Sequence, residues 1–279
     1  MSRLFKATVK DNSPLITDHY LLTLQPLEKI KRPSPGNFFM LSVDDSLDPL
    51  LKRPFSIYRS TAGEIQIIYR VVGKGTTILS NRKAGDTLEV IGPLGNKFPL
   101  KKKQDNIILI AGGLGIAPIL SLAESVIPPA PSLLKAGIKR PRLKDKTNKM
   151  MPHLFYGART KKEIICMDEL KAIGIDPVIS TDDGTFGKKG NIVNVLKKFI
   201  TRNSSNISNY SFYACGPEPM LKALSPLSAK HKLNMHVALE QNMACGLGTC
   251  LGCVVKTTKG YKRICKEGPV FPIEEIIWE

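Results

Sequence analysis

The feature that most restricts this chain lies near its end: Cys245-Gly-Leu-Gly-Thr-Cys250-Leu-Gly-Cys253, with Cys265 standing farther on. Three thiols crowd into one short loop and a fourth is apart. C-x4-C-x2-C followed by a distant cysteine is the plant-type spacing in which four thiolates hold a [2Fe–2S] cluster. The intervening residues suit that task. Cluster sulfurs require backbone N–H groups aimed at them, so the loop must wrap closely. Gly246, Gly248 and Gly252 permit the approach, and permit positive φ where a Cβ would clash. Zinc is the competing ligand, but zinc sites usually present their cysteines in pairs on two separate turns. Unligated core cysteines are the third reading. The spacing favours Cys245, Cys250, Cys253 and Cys265 as iron ligands. A cluster of this kind moves single electrons and transforms no substrate, so the rest of the chain is expected to supply or accept them.

A chain of 279 residues has room for two domains and a small extra module. It contains no apolar run of eighteen residues, which argues against a membrane span. Met1 to Lys10 lacks the apolar segment of a secretion signal, and the two remaining cysteines, Cys166 and Cys215, are far apart. Both points favour a reducing, cytoplasmic location over a disulfide framework. The net charge of +17 admits nucleic acid, an acidic partner or anionic cofactors. The basic residues are spread widely, with clusters at 101–103 and 139–149, and no RNA-recognition or zinc-finger pattern accompanies them. A solvated basic surface without nucleic acid is the simplest reading.

The first hundred residues hold short β-like runs at 5–10, 19–24, 37–43, 55–58, 65–72 and 87–91, separated by turn residues. That spacing predicts a small antiparallel barrel. Arg53-Pro54-Phe55-Ser56 opens one strand. A guanidinium there can grip a pyrophosphate bidentately, and a neighbouring hydroxyl can bond a flavin ring nitrogen. The bland alternative is a strand with an edge proline. Ile68-Tyr69-Arg70 leads into Val71-Val72-Gly73-Lys74-Gly75-Thr76-Thr77 and a short helix over 76–81. A glycine-led helix start is an anion site or simply a capped turn. Gly92-Pro93-Leu94-Gly95 is expected to close the barrel as a tight loop.

Asn106 to Ile110 reads as a buried parallel strand, and Ala111-Gly112-Gly113-Leu114-Gly115-Ile116-Ala117-Pro118 follows it directly, before a helical stretch to Glu124. Strand, glycine turn and helix form a nucleotide-binding unit, although Pro118 occupies the third glycine position of the usual fingerprint. Further parallel strands are predicted at 153–156, 177–180 and 211–214, with polar or glycine-bearing loops after them. Doubly wound sheets bind ligands at those carboxyl ends. Asp182, after the third strand, suits a ribose 2′-hydroxyl and favours NAD over NADP, whereas Arg159 is a dissenting cation. Cys215 reads equally as a reactive thiol or as small packing beside a nicotinamide pocket. Residues 125–152, rich in proline and lysine, form an exposed insertion with one helical turn expected near 132–136.

With these pieces in order, the chain resembles the ferredoxin-reductase-like flavoproteins. Among them it is most similar to the electron-transfer subunits of two-subunit, NAD-linked dihydroorotate dehydrogenases. The resemblance covers nearly the whole chain outside the insertion. It is strongest from Leu239 through Cys253-Val-Val and from Tyr261 to Phe271. It implies an α+β multidomain protein: an antiparallel β-barrel FAD domain (1–102), a doubly wound α/β NAD domain (103–235) and a [2Fe–2S] module (236–279). FAD is assigned to Arg53, Pro54, Phe55, Ser56, Ile68, Tyr69, Arg70, Gly75 and Thr76, and NAD to Gly112, Gly113, Gly115, Cys215, Gly216 and Pro217 with Asp182. No catalytic residue for dihydroorotate is assigned, because the family's site lies on an FMN-containing catalytic subunit, with two copies of each subunit expected in a heterotetramer. The implied role is to pass electrons from that subunit through the cluster and FAD to NAD+, in pyrimidine biosynthesis. A reductase subunit of the same layout, feeding ferredoxin, sulfide or hydrogenase chemistry, is the alternative. The docking surface is expected over 243–251 and the apolar C-terminal run 270–278.

Overall fold

The computed structural model describes residues 3–44, 46–61, 63–100, 106–127 and 151–279. The core of the insertion (128–150), its expected turn near 132–136 and the basic cluster at 101–103 lie outside the described residues. The chain divides into two compact units, Met1–Lys97 with Leu239–Val270, and Phe98–Ala238 with Phe271–Glu279. The cysteine-bearing segment therefore groups mostly with the first unit, and the last nine residues with the second.

The first unit is built on alternation. Strands β1 (Arg3–Ile16), β2 (His19–Pro26), β3 (Phe38–Leu41), β4 (Arg53–Ser56), β5 (Arg59–Thr61), β6 (Glu64–Arg70) and β7 (Thr87–Leu94) form one sheet in the order β4-β3-β7-β1-β2-β6-β5. All six neighbouring pairs are antiparallel. In β1, Phe5, Ala7 and Val9 are buried while Leu4, Lys6 and Lys10 face out; in β7, Leu88, Val90 and Leu94 are buried. These inward side chains join Leu22, Leu24, Phe39, Leu41, Ile65 and Ile67 in one core. Each such burial contributes about 1.5–3 kcal/mol, so a one-residue slip in register would expose the whole set. The sheet curls until its ends meet. Phe55 of edge strand β4 packs edge-on against Tyr69 of β6 with ring centroids 5.8 Å apart. The expected barrel-type domain is therefore present.

Two details differ from the sequence reading. β7 continues through Gly92 and Pro93 to Leu94, where a tight loop was expected. The β3–β7 register shifts between Phe38 and Met40, which face Leu94 and Ile91. Pro93 thus falls in a bulge, where its missing N–H leaves no rung empty. The helix α1 (Lys74–Ser80) starts two residues earlier than expected, because Thr76 Oγ1 accepts from the N–H groups of Val72 (2.9 Å) and Gly73 (3.2 Å) and caps the turn.

The second unit follows the opposite rule. β8 (Asn106–Gly112) is buried from Ile107 to Gly112 without alternation, as a strand covered on both faces must be. β9 (His153–Ala158), β10 (Val178–Thr181), β11 (Lys188–Lys189), β12 (Tyr210–Cys215), β13 (Asn234–Ala238) and β16 (Val270–Pro272) complete the order β11-β10-β9-β8-β12-β13-β16. The pairs from β11 to β13 are parallel. Helices α2 (Ile116–Val126), α3 (Met167–Ala172), α4 (Ile192–Arg202) and α5 (Glu218–His231) connect them. α4 buries Ile192, Val193, Val195, Leu196 and Ile200, an apolar stripe at helical spacing, and begins where Asn191 Oδ1 accepts from Val193 N–H at 2.7 Å. The doubly wound class is as expected. Among the described residues, no helix is long and apolar enough to cross a membrane.

Candidate functional site: a four-cysteine loop and two cofactor faces

The hairpin of β14 (Val254–Thr257) and β15 (Gly260–Arg263) explains how the distant cysteine joins the others. Val254 pairs with Arg263, so the hairpin's open ends bring Cys253 and Cys265 side by side. Cys265, on the short helix α6 (Ile264–Glu267), donates its N–H to Cys253 Sγ at 3.4 Å across twelve residues of sequence. Leu247 N–H donates to Cys245 Sγ at 3.3 Å, and Gly252 N–H to Cys250 Sγ at 3.4 Å. Such N–H···S contacts suit thiolate ligands better than inert thiols. Cys253 and Cys265 are buried, Cys245 is half-buried and Cys250 is exposed. Burial raises the Cys245 thiol, but hydrogen bonds from Thr249, Cys250 and Leu247 outweigh it and bring the pKa down to about 5. Burial, reinforced by neighbouring Cys253, pushes Cys265 up to about 12. Among the described residues no three His, Cys, Asp or Glu side chains are gathered as a single ion would need. Four thiols, with backbone donors at three of them, suit a two-iron cluster.

The loop is seated on the barrel sheet of its own unit. Gly246 has φ +68°, and a Cβ there would lie 2.5 Å from Met40 Cγ, so only glycine fits. Arg263 Nη1 donates to Gly248 O at 2.7 Å and its Nε to Glu267 at 3.1 Å. The residue that sequence reasoning missed is Asn96. Its Nδ2 donates to the carbonyls of Glu267 (2.9 Å) and Val270 (2.8 Å), and its Oδ1 accepts from Val270 N–H (2.9 Å). It stitches the end of β7 to the segment carrying the fourth cysteine. The available signal was its place after Gly95, at a turn following a strand. A recess of about 330 Å³ lies here, lined by Leu94, Asn96, Gly246, Leu247, Cys265 and Lys266 among others.

On the same unit, Arg53 reaches the start of α1: a Cβ on Gly75 would stand 2.7 Å from Arg53 Nε. Arg53, Pro54, Phe55 and Ser56 are all half-exposed on β4. Arg70 is also half-exposed, whereas Ile68 and Tyr69 are buried. Tyr69 Oη donates to Asn12 Oδ1 at 3.0 Å, and Asn12 Nδ2 donates to Leu79 O (2.8 Å) and Arg82 O (3.1 Å). Burial holds the Tyr69 hydroxyl protonated, with its pKa well above the usual phenol value. Tyr69 and the Thr76 hydroxyl therefore support the face from behind, and Arg53, Ser56 and Arg70 are the side chains left on it.

In the second unit, the chain leaves β8 in one direction through β9, β10 and β11, then returns to β12 on the other side. β8 and β12 form the switch point, where doubly wound sheets open a ligand crevice. Both expected glycine turns end these two strands and touch. A Cβ on Gly115 would lie 2.1 Å from Cys215 O, and one on Gly216 would lie 3.0 Å from Gly112 Cα. Cys215 is buried beneath the turn. Asp182 stands at the tip of β10, its N–H bonded to Ala158 O at 3.1 Å. Of the apolar C-terminal run expected to face a partner, Val270, Phe271, Ile273 and Ile276 are buried in this chain, and so is Met243. Leu247 and Leu251 of the expected 243–251 stretch are exposed, as is Ile277 of the C-terminal run, and so are Val254 and Tyr261 of the β14–β15 hairpin.

The comparisons agree with this division of labour. Residues 240–277 match the family described as the iron-sulfur cluster binding domain of dihydroorotate dehydrogenase B, and 109–225 match the oxidoreductase NAD-binding domain. The chain is 33% identical to the dihydroorotate dehydrogenase B (NAD(+)) electron transfer subunit of Desulforamulus reducens, covering 100% of both. It is 36% identical, over 97% of each chain, to the electron transfer subunit homolog of Aquifex aeolicus. A solved chain of an NADH-dependent reduced ferredoxin-NADP oxidoreductase superposes with a TM-score of 0.77 at 26% identity, covering 98% of this chain and 90% of that one. Full-length similarity at this level, together with the cysteine loop that matches the cluster-binding family, shows that the chain belongs to the family of NAD-linked dihydroorotate dehydrogenase B electron transfer subunits.

Proposed function

We propose that this chain carries electrons released by dihydroorotate oxidation on a catalytic partner to NAD+. The observation that carries the reading is the cysteine loop, with backbone N–H groups directed at three of its sulfurs within a segment matching the cluster-binding family. Cys245, Cys250, Cys253 and Cys265 would hold a [2Fe–2S] cluster, Arg53, Ser56 and Arg70 with the Gly75–Thr76 turn would hold FAD, and the glycine turns of β8 and β12 would hold NAD. When bound, FAD converts between the single electrons of a cluster and the hydride of a nicotinamide. The chain's own residues bind and orient. Arg53 offers a guanidinium fork for a pyrophosphate, and its placement against Gly75 aims it at the start of α1. Ser56 offers a hydroxyl to a flavin ring nitrogen. Asp182 accepts from a ribose 2′-hydroxyl and disfavours a 2′-phosphate, which selects NAD. Exposed Leu247, Leu251, Val254 and Tyr261 offer an apolar rim around the cluster loop for an FMN-containing catalytic subunit. Two copies of each subunit form the assembly, and the cytoplasm is its compartment.

The test is a reconstitution. The isolated chain passes electrons from NADH to ferricyanide and oxidises no dihydroorotate. Addition of an FMN-containing partner creates NAD+-dependent dihydroorotate oxidation. Dihydroorotate oxidation by the chain alone, or activity only with ferredoxin, sulfide or hydrogenase partners, contradicts the assignment.

A further inference from the structure

The tips of β9 and β10 carry opposed signals for the adenosine end of a nicotinamide cofactor. Asp182 favours a ribose hydroxyl, while a guanidinium such as that of Arg159 accommodates a 2′-phosphate. The two tips are joined, with Asp182 N–H bonded to Ala158 O (3.1 Å) and Asp183 N–H to Arg159 O (3.2 Å). A third residue decides between them. Glu163 accepts from Arg159 Nε at 2.9 Å (Oε1) and 3.3 Å (Oε2) and from Nη2 at 2.5 Å, and its Oε2 also accepts the Arg159 backbone N–H at 3.2 Å.

The backbone turn that carries the carboxylate is held from behind. Glu163 sits in the single turn Lys161–Glu163, whose Lys161 N–H donates to Thr185 Oγ1 at 2.9 Å. That hydroxyl donates in turn to Asp183 Oδ1 at 2.7 Å. The buried Tyr156 hydroxyl donates to Glu163 O at 3.4 Å and accepts from Ile165 N–H at 3.2 Å. The Glu163 side chain is 22% exposed and that of Arg159 68%, so the acid is the more buried partner of the pair. Exposed ion pairs usually contribute little, but here Nε and Nη2 both donate to the carboxylate and the Arg159 backbone N–H adds a further bond. The other cations on this rim are Lys161, which lies over the Phe186 ring at 5.5 Å, and Lys162, Lys188 and Lys189.

We propose that Glu163 sets this chain's preference for NAD over NADP by occupying and neutralising the Arg159 guanidinium at the adenosine-ribose edge. The proposal rests on the NAD site described above and names the residue that makes that site selective. Glu163 is a positioning residue, acting through Arg159.

The experiment uses the flavin-loaded full chain and its Glu163→Gln variant, with Glu163→Ala as a second substitution. Binding of 2′,5′-ADP and of 5′-AMP is measured by calorimetry, and kcat/KM for NADPH and NADH with ferricyanide. Loss of the carboxylate charge strengthens 2′,5′-ADP binding about five- to tenfold and leaves 5′-AMP binding unchanged. The NADPH/NADH efficiency ratio rises with it. Arg159→Gln on the Glu163→Gln background removes the gain. Unchanged 2′,5′-ADP affinity in both Glu163 variants, or a gain that survives Arg159→Gln, overturns the proposal. Equal use of NADPH and NADH by the unaltered chain overturns the NAD assignment as well, whereas an NADH preference unmoved by either Glu163 variant overturns this inference alone.

Discussion

The cysteine loop and the glycine turn after β8 solve the same problem, a close backbone approach to a bound group, by different physical means. The β8 turn inherits its shape from regular structure. A fully buried parallel strand aims the chain, α2 carries it away, and the tightest steric demand is that Gly115 leave room for the Cys215 carbonyl. The cysteine loop has no strand or helix between Cys245 and Cys253. Its form comes from positive-φ residues, from the β14–β15 hairpin that returns Cys265, and from side-chain bonds by Asn96 and Arg263. Regular structure tolerates the loss of any one contact, while an irregular loop held by few contacts depends on each of them and on its metal.

That contrast breaks most sharply at a ligand. Cys253→Ser removes a buried sulfur that anchors Cys265, and about two irons and two sulfides per chain are lost together, with flavin content and NADH–ferricyanide activity retained. Iron and acid-labile sulfide assays beside flavin absorbance check this. Stoichiometric zinc without sulfide in anaerobically purified protein would favour the zinc reading. The mirror experiment is Gly115→Val. A side chain 2.1 Å from a backbone carbonyl forces the turn to shift, and kcat/KM for NADH falls about 100-fold while the iron content is unchanged.

Smaller changes sharpen the comparison. Asn96→Ala deletes three hydrogen bonds between β7 and the 267–270 segment, and about 2–3 kcal/mol of stability should go with them. Urea unfolding measures that loss, and faster iron release to a chelator shows that the loop depends on it. The smallest effect is electrostatic. The Arg263 hydrogen bond holds the Glu267 carboxyl below its ordinary value of 4.5. A depressed carboxylate stabilises the fold above its unfolded pKa and loses that contribution as pH falls through the folded one. Glu267→Gln should therefore lower stability at neutral pH by about 0.5 kcal/mol, and the difference from wild type should vanish in the acid region below pH 4.5.

Legibility in the sequence followed the same divide. β8, β9, β10 and β12 were readable because buried parallel strands are short, nearly continuous apolar runs ended by glycine or polar turns. Six of the seven barrel strands were readable, β1 and β7 from their alternation, whereas β5, three residues long, was not. β13 was not, because Asn234 and His236 interrupt its apolar residues, and β16 is only three residues long. The cysteine loop has no periodicity and was visible only through ligand spacing. Asn96 offered only its place after Gly95 at a turn, because its partners lie 171 and 174 residues away. Apolar character alone did not separate the buried from the exposed members of the expected docking stretches 243–251 and 270–278, where Ile277 stays exposed. Val270, Phe271, Ile273 and Ile276 cover this chain's own core, while Leu247 and Leu251 stay exposed. Composition states that a residue prefers burial, not against which surface.

On the proposed function, the cysteine loop is the obligatory bridge between a dihydroorotate-oxidising partner and the nicotinamide face. The most direct measurement compares wild-type and Cys250→Ser chains in complex with the FMN-containing partner, following NAD+-dependent dihydroorotate oxidation and NADH–ferricyanide activity in the same preparation. The predicted result is loss of the first activity with retention of the second. Undiminished NAD+-dependent dihydroorotate oxidation in a complex shown to lack iron would contradict the account.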